Sequence, residues 1–359
     1  MIRTQPSFAV VSALLAACAA SPDAEPPSSA SMAEADSTGR QLLTIAPAIG
    51  ATTTATVLVS GSDRTVTSLP SPIESPCGGA LRVARSFRGE AYAYFEVTNP
   101  TDEAATVSLF LDAPNITKAR PALYVYASDM PPTTDEETMR CMVADAADWD
   151  ARGKAMAPPA LAQEDGTAVV VDARSSVYVL LATEERTGPY TVTARTDSLT
   201  TARPLVIPSS PGVEETATVL VSGRERTTMT LPAPSSTSCG GRLSVARSYE
   251  GESYAYVEIQ NPAEEAAVVS LSVSHPNISK MEPALFAYAT ANPPATEEEV
   301  MKCMVAVDAE WSSTVGAMVP PRLSVEDGTA LVVGARSSAY VLLATRGRTG
   351  AFTLTIERE

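Results

Sequence analysis

The chain has 359 residues, a formal charge of −16, 28 prolines, five cysteines and a single histidine. A hydrophobic share of 45% exceeds what a disordered polymer carries, and the length suits one large domain or two ordinary ones. The acidic balance leaves no basic excess to release counterions from a phosphate backbone, so no nucleic acid is expected as a partner.

At the start of the chain, Arg3 precedes a ten-residue apolar run, Phe8–Ala17, which ends at Cys18. Ten helical residues reach only about 15 Å, against a bilayer core of about 30 Å. Residues 1–17 therefore read as an export signal rather than a span. The junction Leu15-Ala16-Ala17-Cys18 resembles the lipobox of bacterial lipoproteins. That resemblance implies that Cys18 is acylated and opens the mature chain. It also implies that Ala19, in place of Asp, directs the protein to the outer membrane of the bacterial cell envelope, on its periplasmic or cell-surface face. The membrane is then a partner through the acyl groups, and several such chains hold where one binds reversibly. Residues 18–40 are rich in Ser, Pro and Ala, lack apolar periodicity and read as a disordered tether.

Beyond the tether the chain is written twice. Val57–Gly61 returns as Val219–Gly223, Cys77–Gly79 as Cys239–Gly241, and Glu164–Ala168 as Glu326–Ala330, always at an offset of 162. Thr54–Thr196 laid over Thr216–Arg358 needs no gap and leaves 83 of 143 positions identical. A period this long exceeds solenoid repeats of about 20–50 residues, so an entire domain has been duplicated, as 41–198 and 199–359. Charge divides the same way, with −7 in residues 42–203 (13 basic, 20 acidic) and −7 in 204–359 (11 basic, 18 acidic).

Within the first copy, Ala91–Thr98, Ala105–Leu111, Leu123–Tyr126, Thr167–Val171, Val177–Thr183 and Tyr190–Thr193 are strand runs rich in Val, Thr and Tyr. Eight or nine short strands per copy predict an all-β protein of two tandem antiparallel β-sandwich, jelly-roll-like domains with one topology. Residues 128–160, with paired prolines at 131–132 and 158–159, read as a large surface excursion, with a short helix across Thr138–Trp149. The end of each copy, Gly166–Leu181 followed by Gly188–Thr193, and its second version through Tyr340–Leu343 and Gly350–Thr355, resembles the bacterial pre-peptidase C-terminal type of β-sandwich. The whole arrangement also resembles the duplicated β-sandwich lipoproteins of myxobacteria. The first resemblance implies an accessory module of secreted enzymes or surface proteins, in some cases with calcium or carbohydrate roles.

With Cys18 given to lipid, two cysteines remain per copy, and four cysteines allow three pairings. Duplication favours Cys77–Cys141 and Cys239–Cys303, because one domain closed its own bridge before being copied. Export to an oxidising compartment permits it, and closing so long a loop stabilises by roughly 4 kcal/mol on the entropic account. The rival is a metal site, but a cysteine pair with no repeated histidine is a poor zinc set.

No repeated catalytic set stands out. His275, the one histidine, is matched by Ala113, and no Gly-x-Ser-x-Gly, His-Glu-x-x-His or phosphate-loop pattern occurs. Repeated acids such as Glu90, Glu96, Glu164 and Asp165 read as solvated, or as a glycosidase pair if suitably spaced. Asp135, Glu136 and Glu137, with Glu297, Glu298 and Glu299, are weak calcium candidates beside Asp145, Asp148 and Asp150; otherwise neither metal nor cofactor is expected. Trp149 and Trp311, at equivalent positions, belong to the core or contact a ligand. Tyr92 and Tyr94 alternate on one strand face, and Arg85 and Arg174 with Arg247 and Arg336 read as structural guanidiniums. The expected function is that of a non-enzymatic, lipid-anchored envelope protein whose sandwiches bind or scaffold, with an envelope protein or a glycan as partner. The alternatives are a calcium-assisted carbohydrate- or peptidoglycan-binding protein and an accessory part of a secreted hydrolase system. Metabolic labelling with an alkyne fatty acid is expected to mark the parent chain and leave Cys18→Ser unlabelled; equal labelling of both refutes the anchor.

Overall fold

The computed structural model describes residues 41–60, 77, 91–113, 115–128, 130–138, 140–150, 153–184, 186–201, 203–224, 239 and 253–359. Cys18, the export signal, the tether, Glu90, Arg85 and Arg247 lie outside the described residues.

The first half contains β1 (Gln41–Thr44), β2 (Thr52–Val59), β3 (Ala91–Thr98), β4 (Ala104–Asp112), the one-turn helix α1 (Ile116–Ala119), β5 (Ala122–Tyr126), α2 (Asp135–Thr138), β6 (Val143–Ala146), β7 (Asp148–Asp150), β8 (Ala155–Ala157), β9 (Ala160–Leu161), β10 (Val169–Val171), β11 (Ser176–Thr183) and β12 (Gly188–Thr200). The second half repeats it as β13 (Leu205–Val206), β14 (Glu214–Val221), β15 (Ser253–Asn261), β16 (Ala267–Ser274), α3 (Ile278–Met281), β17 (Ala284–Tyr288), α4 (Glu297–Val300), β18 (Val305–Asp308), β19 (Glu310–Ser312), β20 (Ala317–Val319), β21 (Arg322–Leu323), β22 (Leu331–Val333), β23 (Ser337–Thr345) and β24 (Gly350–Arg358).

Each half is a β-sandwich. In the first, one sheet runs β1-β3-β11-β5-β6, and the other runs β10-β4-β12-β2 with β9 also on β4. The second half reproduces both orders, as β13-β15-β23-β17-β18 and as β14-β24-β16 with β21 and β22 on β16. Period-two alternation drives the layering. On β2, Ala55, Val57 and Val59 turn inward while Leu58 faces solvent, and on β12 Tyr190, Val192 and Ala194 do the same opposite them. Val97, Leu109, Val125, Val179 and Leu181 complete the first core. Each fully buried aliphatic side chain contributes about 1.5–3 kcal/mol.

Three expectations change. Among the described residues twelve strands form in each half rather than eight or nine, because the excursion is itself stranded. The helix across Thr138–Trp149 is absent: α2 stops at Thr138, and Val143–Ala146 forms β6 on the edge of β5. Tertiary pairing there outweighs local preference, since β6 seats Val143 and Ala144 in fully buried positions. The sheets are also not wholly antiparallel, as β1–β3 and β13–β15 pair in parallel.

One buried polar group recurs at the same place in both halves. Asn99 Nδ2 faces the carbonyls of Glu103, Val171 and Asp172 at 2.7, 3.2 and 3.1 Å, and its Oδ1 accepts from Thr101 N and Oγ1. Asn261 repeats this toward Glu265, Val333 and Gly334 at 2.8, 3.1 and 2.9 Å. The carboxamide thus ties the β3–β4 turn to the β10–β11 turn, alongside the main-chain bonds from Asn99 N to Ser175 O and from Arg174 N to Thr101 O. Asn99→Ala is expected to lower stability by roughly 2–4 kcal/mol, because it orphans buried carbonyls. A shift in urea midpoint at constant m-value checks this, and an unchanged midpoint contradicts it.

Candidate functional site

The two tryptophans sit on matching hairpins that pair with no other sheet. Strand β7 pairs only with β8, and β19 only with β20. Trp149 lies across from Met156, and Trp311 across from Met318. Strand alternation turns Trp149 to the face opposite Asp148 and Asp150. Trp149 and Trp311 are 58% and 65% exposed, so the core reading fails for both. Each hairpin packs through its second strand on a one-turn helix, β8 on α1 and β20 on α3. The base of the first hairpin is pinned as well, since Asp145 Oδ2 accepts from Ala160 N at 2.8 Å. An isolated two-stranded hairpin is marginal in water, so these anchors hold the indole in place.

The paired cysteines are joined in the structure, Cys77 to Cys141 and Cys239 to Cys303, with Cα–Cα distances of 5.1 and 5.0 Å. In each half the bridge belongs to a second apolar cluster on the outer face of the β3-containing sheet or its counterpart. In the first, Cys77 and Cys141 pack with Tyr92, Tyr124, Tyr126, Tyr178 and Leu180. Tyr92 and Tyr94 share this face, with rings edge-to-face at 5.6 Å. The Tyr94 hydroxyl donates to Pro132 O at 2.9 Å and the Tyr126 hydroxyl to Thr138 O at 3.1 Å. Tyr256 and Tyr288 repeat both bonds, to Pro294 O and Val300 O. Burial pushes the Tyr126 and Tyr288 hydroxyls well above the usual phenol range, so both stay protonated donors.

The acidic clusters serve the same local architecture. Glu137 accepts from Thr133 N, Thr133 Oγ1 and Thr134 N, and its own N–H donates to Thr134 Oγ1, a capping box at the start of α2. These bonds, the Thr133 backbone N–H first, hold the Glu137 carboxyl below its ordinary range. Glu299 caps α4 likewise, while Glu136 pairs with Arg140 and Glu298 with Lys302. Asp148 accepts from Trp149 N and Asp150 from Gly153 N. The weak calcium candidates Glu136, Glu137, Glu298 and Glu299 are therefore committed to caps and ion pairs. Among the described residues no three acidic, histidine or cysteine side chains gather to hold a metal. The side chains of Asp135 and Glu297 lie outside the described residues. Arg174 pairs with Asp102 and Arg336 with Glu264, as structural guanidiniums.

An apolar groove of about 530 Å³ opens beside the first bridge, lined by Tyr126, Met130, Pro131, Pro132 and Met142, with Arg224 of the second half at its rim. Glu137 lines this groove and neither tryptophan does, so it does not bring the tryptophans and the acids together.

His275, which sequence reasoning left without a role, lies between the two halves. The Gln163 carboxamide pairs with the Ala351 main chain, with Nε2 donating to Ala351 O at 2.7 Å and Oε1 accepting from Ala351 N at 3.0 Å. That pairing leaves the Gln163 amide nitrogen 2.9 Å from His275 Nε2. Asn277 N donates to Nδ1 at 3.0 Å, and the Phe352 ring lies 4.9 Å off. Burial pushes the His275 pKa down to about 4. The mismatch between Gln163 and its counterpart Val325 was the available sequence signal for this contact.

No protein family matches the chain, and no curated protein does. Solved structures align with it at low similarity. Tripeptidyl peptidase 2 aligns at 7% identity over 89% of this chain and 24% of its own, TM-score 0.20. The T=1 Penaeus vannamei nodavirus aligns at 9% over 88% and 99%, TM-score 0.18. The N-terminal CBM22-1-CBM22-2 tandem domain of Paenibacillus barcinonensis Xyn10C aligns at 11% over 77% and 89%, TM-score 0.17. The chain spans about a quarter of the peptidase's length, and TM-scores of this size transfer neither fold nor activity.

The histidine yields a pH prediction. Its folded pKa lies below the ordinary value near 6.5, so the unfolded chain takes up the proton first. Its contribution to stability is complete above about pH 6.5 and is lost as the pH falls toward about 4. Glu164 is the charged group that favours its protonated form, while Asp165, Lys280 and Arg348 bond to one another in the same junction. Thermal melts of the parent should fall from pH 7 to pH 5, and His275→Gln should flatten that slope; parallel slopes contradict the assignment.

Proposed function

We propose that this is a non-enzymatic, lipid-anchored protein of the bacterial cell envelope whose two sandwich domains act as binding modules for an extended, repetitive ligand. The observation that carries the reading is the pair of tryptophans, each more than half exposed on a braced hairpin at the same place in both domains. A broad, rigid indole in water contributes little to a fold, whereas it provides large contact area at a binding surface at low entropic cost. A polysaccharide suits two such surfaces, because its repeating sugar rings offer flat C–H faces to each indole. Two modules on one chain also raise avidity for a repeating ligand without any new contact. The commitment of the described acids to caps and ion pairs favours a calcium-free mode of binding. The single histidine is occupied between the domains, which favours binding over hydrolysis.

Because the chain has only these two tryptophans, its indole emission reports the proposed surfaces directly. Titration with soluble peptidoglycan fragments and neutral polysaccharides is expected to shift that emission. Trp149→Ala or Trp311→Ala alone should weaken binding to an immobilised polymer about a hundredfold, through lost avidity, and the double variant should abolish it. Unchanged emission, together with capture of an envelope protein that needs either indole, replaces the glycan reading by scaffolding.

A further inference from the structure

Two copies of one sandwich meet inside this chain through unlike faces. The donor is the turn 163–168 of the first domain, and the acceptor is the α3 corner and the β23–β24 turn of the second. Thr349 N donates to Gly166 O at 2.9 Å and Thr349 Oγ1 to Ala168 O at 2.7 Å. Asn277 Nδ2 donates to Glu164 O at 3.0 Å, Arg348 Nη1 to Asp165 O at 3.3 Å, and Lys280 pairs with Asp165. The faces approach so closely that a Cβ on Gly166 would run into the Met281 thioether, and one on Gly350 would lie 2.6 Å from Gln163 Oε1.

Since both domains come from one sequence, each carries both faces, and the internal contact uses one from each. The second domain's donor turn, 325–330, and the first domain's acceptor face, at α1 and 186–189, are left over. The spare donor has the same shape. Gly328 has φ +68° where Gly166 has +69°, and Ser324 N bonds Thr329 Oγ1 at 3.0 Å as Ala162 N bonds Thr167 Oγ1. The contacting residues also persist: Glu326, Asp327, Gly328 and Ala330 on the donor, and Asn115, Lys118, Arg186 and Thr187 on the acceptor. Their surroundings differ in one respect. Thr349 and Gly166 are buried, whereas Thr187 and Gly328 are exposed, and a Cβ on Gly188 or Gly328 meets nothing within 4 Å.

Where the spare faces depart from the internal pair, they depart together. Gln163 becomes Val325, His275 becomes Ala113 and Ala351 becomes Pro189. Pro189 has no N–H to give a carboxamide, and Val325 has no carboxamide to receive one. A polar match on the inside is replaced on the outside by an apolar match, and Val325 stands 51% exposed. Glu326 and Asp327, the latter accepting from Ser324 Oγ, are opposite in sign to Lys118 and Arg186, which lie beside the Arg120–Glu184 pair.

We infer that the 325–330 turn of one chain docks on the α1 and 186–189 face of a second copy, repeating the internal contact head to tail. Such a contact is heterologous, so it extends into an open assembly unless the accumulated rotation closes a ring. The internal junction gains an effective concentration of order millimolar from its covalent link, so the contact between chains depends on protein concentration. The two asparagines differ in backbone, with Asn115 left-handed at φ 60° on the spare face and Asn277 at φ −132° and ψ 64° on the filled one.

Sedimentation velocity of the full chain tests this from micromolar to millimolar concentration, with mass expected to rise past the dimer. Lys118→Asp and Asp327→Lys each set like charges against each other and should lower association at least about tenfold. Both leave the internal Lys280–Asp165 pair intact. An equimolar mixture of the two variants should associate as the parent does, because each then meets its opposite charge; misfolding would not be rescued by mixing. A single monomeric mass throughout, parental association by either variant alone, or a mixture no stronger than its components overturns the proposal.

Discussion

The outer face of the β3-containing sheet is the constraint from which the rest of each domain follows. Every residue of β5 and of β17 is buried, so these strands are covered on both sides rather than on the inner side alone. A tyrosine-rich face left in water would expose a large apolar patch, and a single chain can cover it only by folding its own loops back. The disulfide fixes that cover at one point and the tyrosine hydroxyls at two more. The Pro-Pro stretch, the one-turn helix and its glutamate cap all serve the same enclosure. The exposed hairpin projects beyond it, braced on α1, and in this way a packing requirement places the indole.

Duplication supplied a second such domain, and divergence then distinguished the inside from the outside. The positions that separate the copies include the residues of the internal contact, where Gln163, His275 and Met281 face counterparts Val325, Ala113 and Ala119. The histidine accepts the Asn277 N–H at Nδ1, packs beside the Phe352 ring and sits against the Gln163 carboxamide. Main-chain carbonyls of the donor turn do most of the remaining work, and they are indifferent to side-chain identity. The turn therefore keeps its docking geometry on both domains even as its flanking side chains change.

The proposed binding role draws on how the described side chains are used. Charged side chains are spent in caps and exposed ion pairs, and exposed pairs of this kind contribute little to stability. The broad exposed apolar side chains occur on repeated hairpins, which is the pattern of a surface that meets a repeating partner. A lipid anchor on a flexible tether would present such a surface away from the membrane to a ligand of low affinity per site.

Much of the architecture was legible in the residues. Alternating Val, Thr and Tyr runs specified β3, β4, β5, β11 and β12, because one-sided burial imposes a period of two. The offset of 162 with 83 identities specified two like domains, and duplication singled out the cysteine pairing. Local pattern failed where nonlocal contact decided. The stretch 138–149 resembled a helix until the open edge of β5 made strand pairing the better use of its backbone. The glutamate clusters offered weak calcium candidates, yet Glu137 and Glu299 accept N–H groups in capping boxes and Glu136 and Glu298 sit in ion pairs. No spacing in the sequence could show that Trp149 faces water, that Asn99 bridges two turns, or that His275 sits between domains. Each depends on which surfaces meet at distances of a few ångströms, and those are settled only when the whole chain has packed.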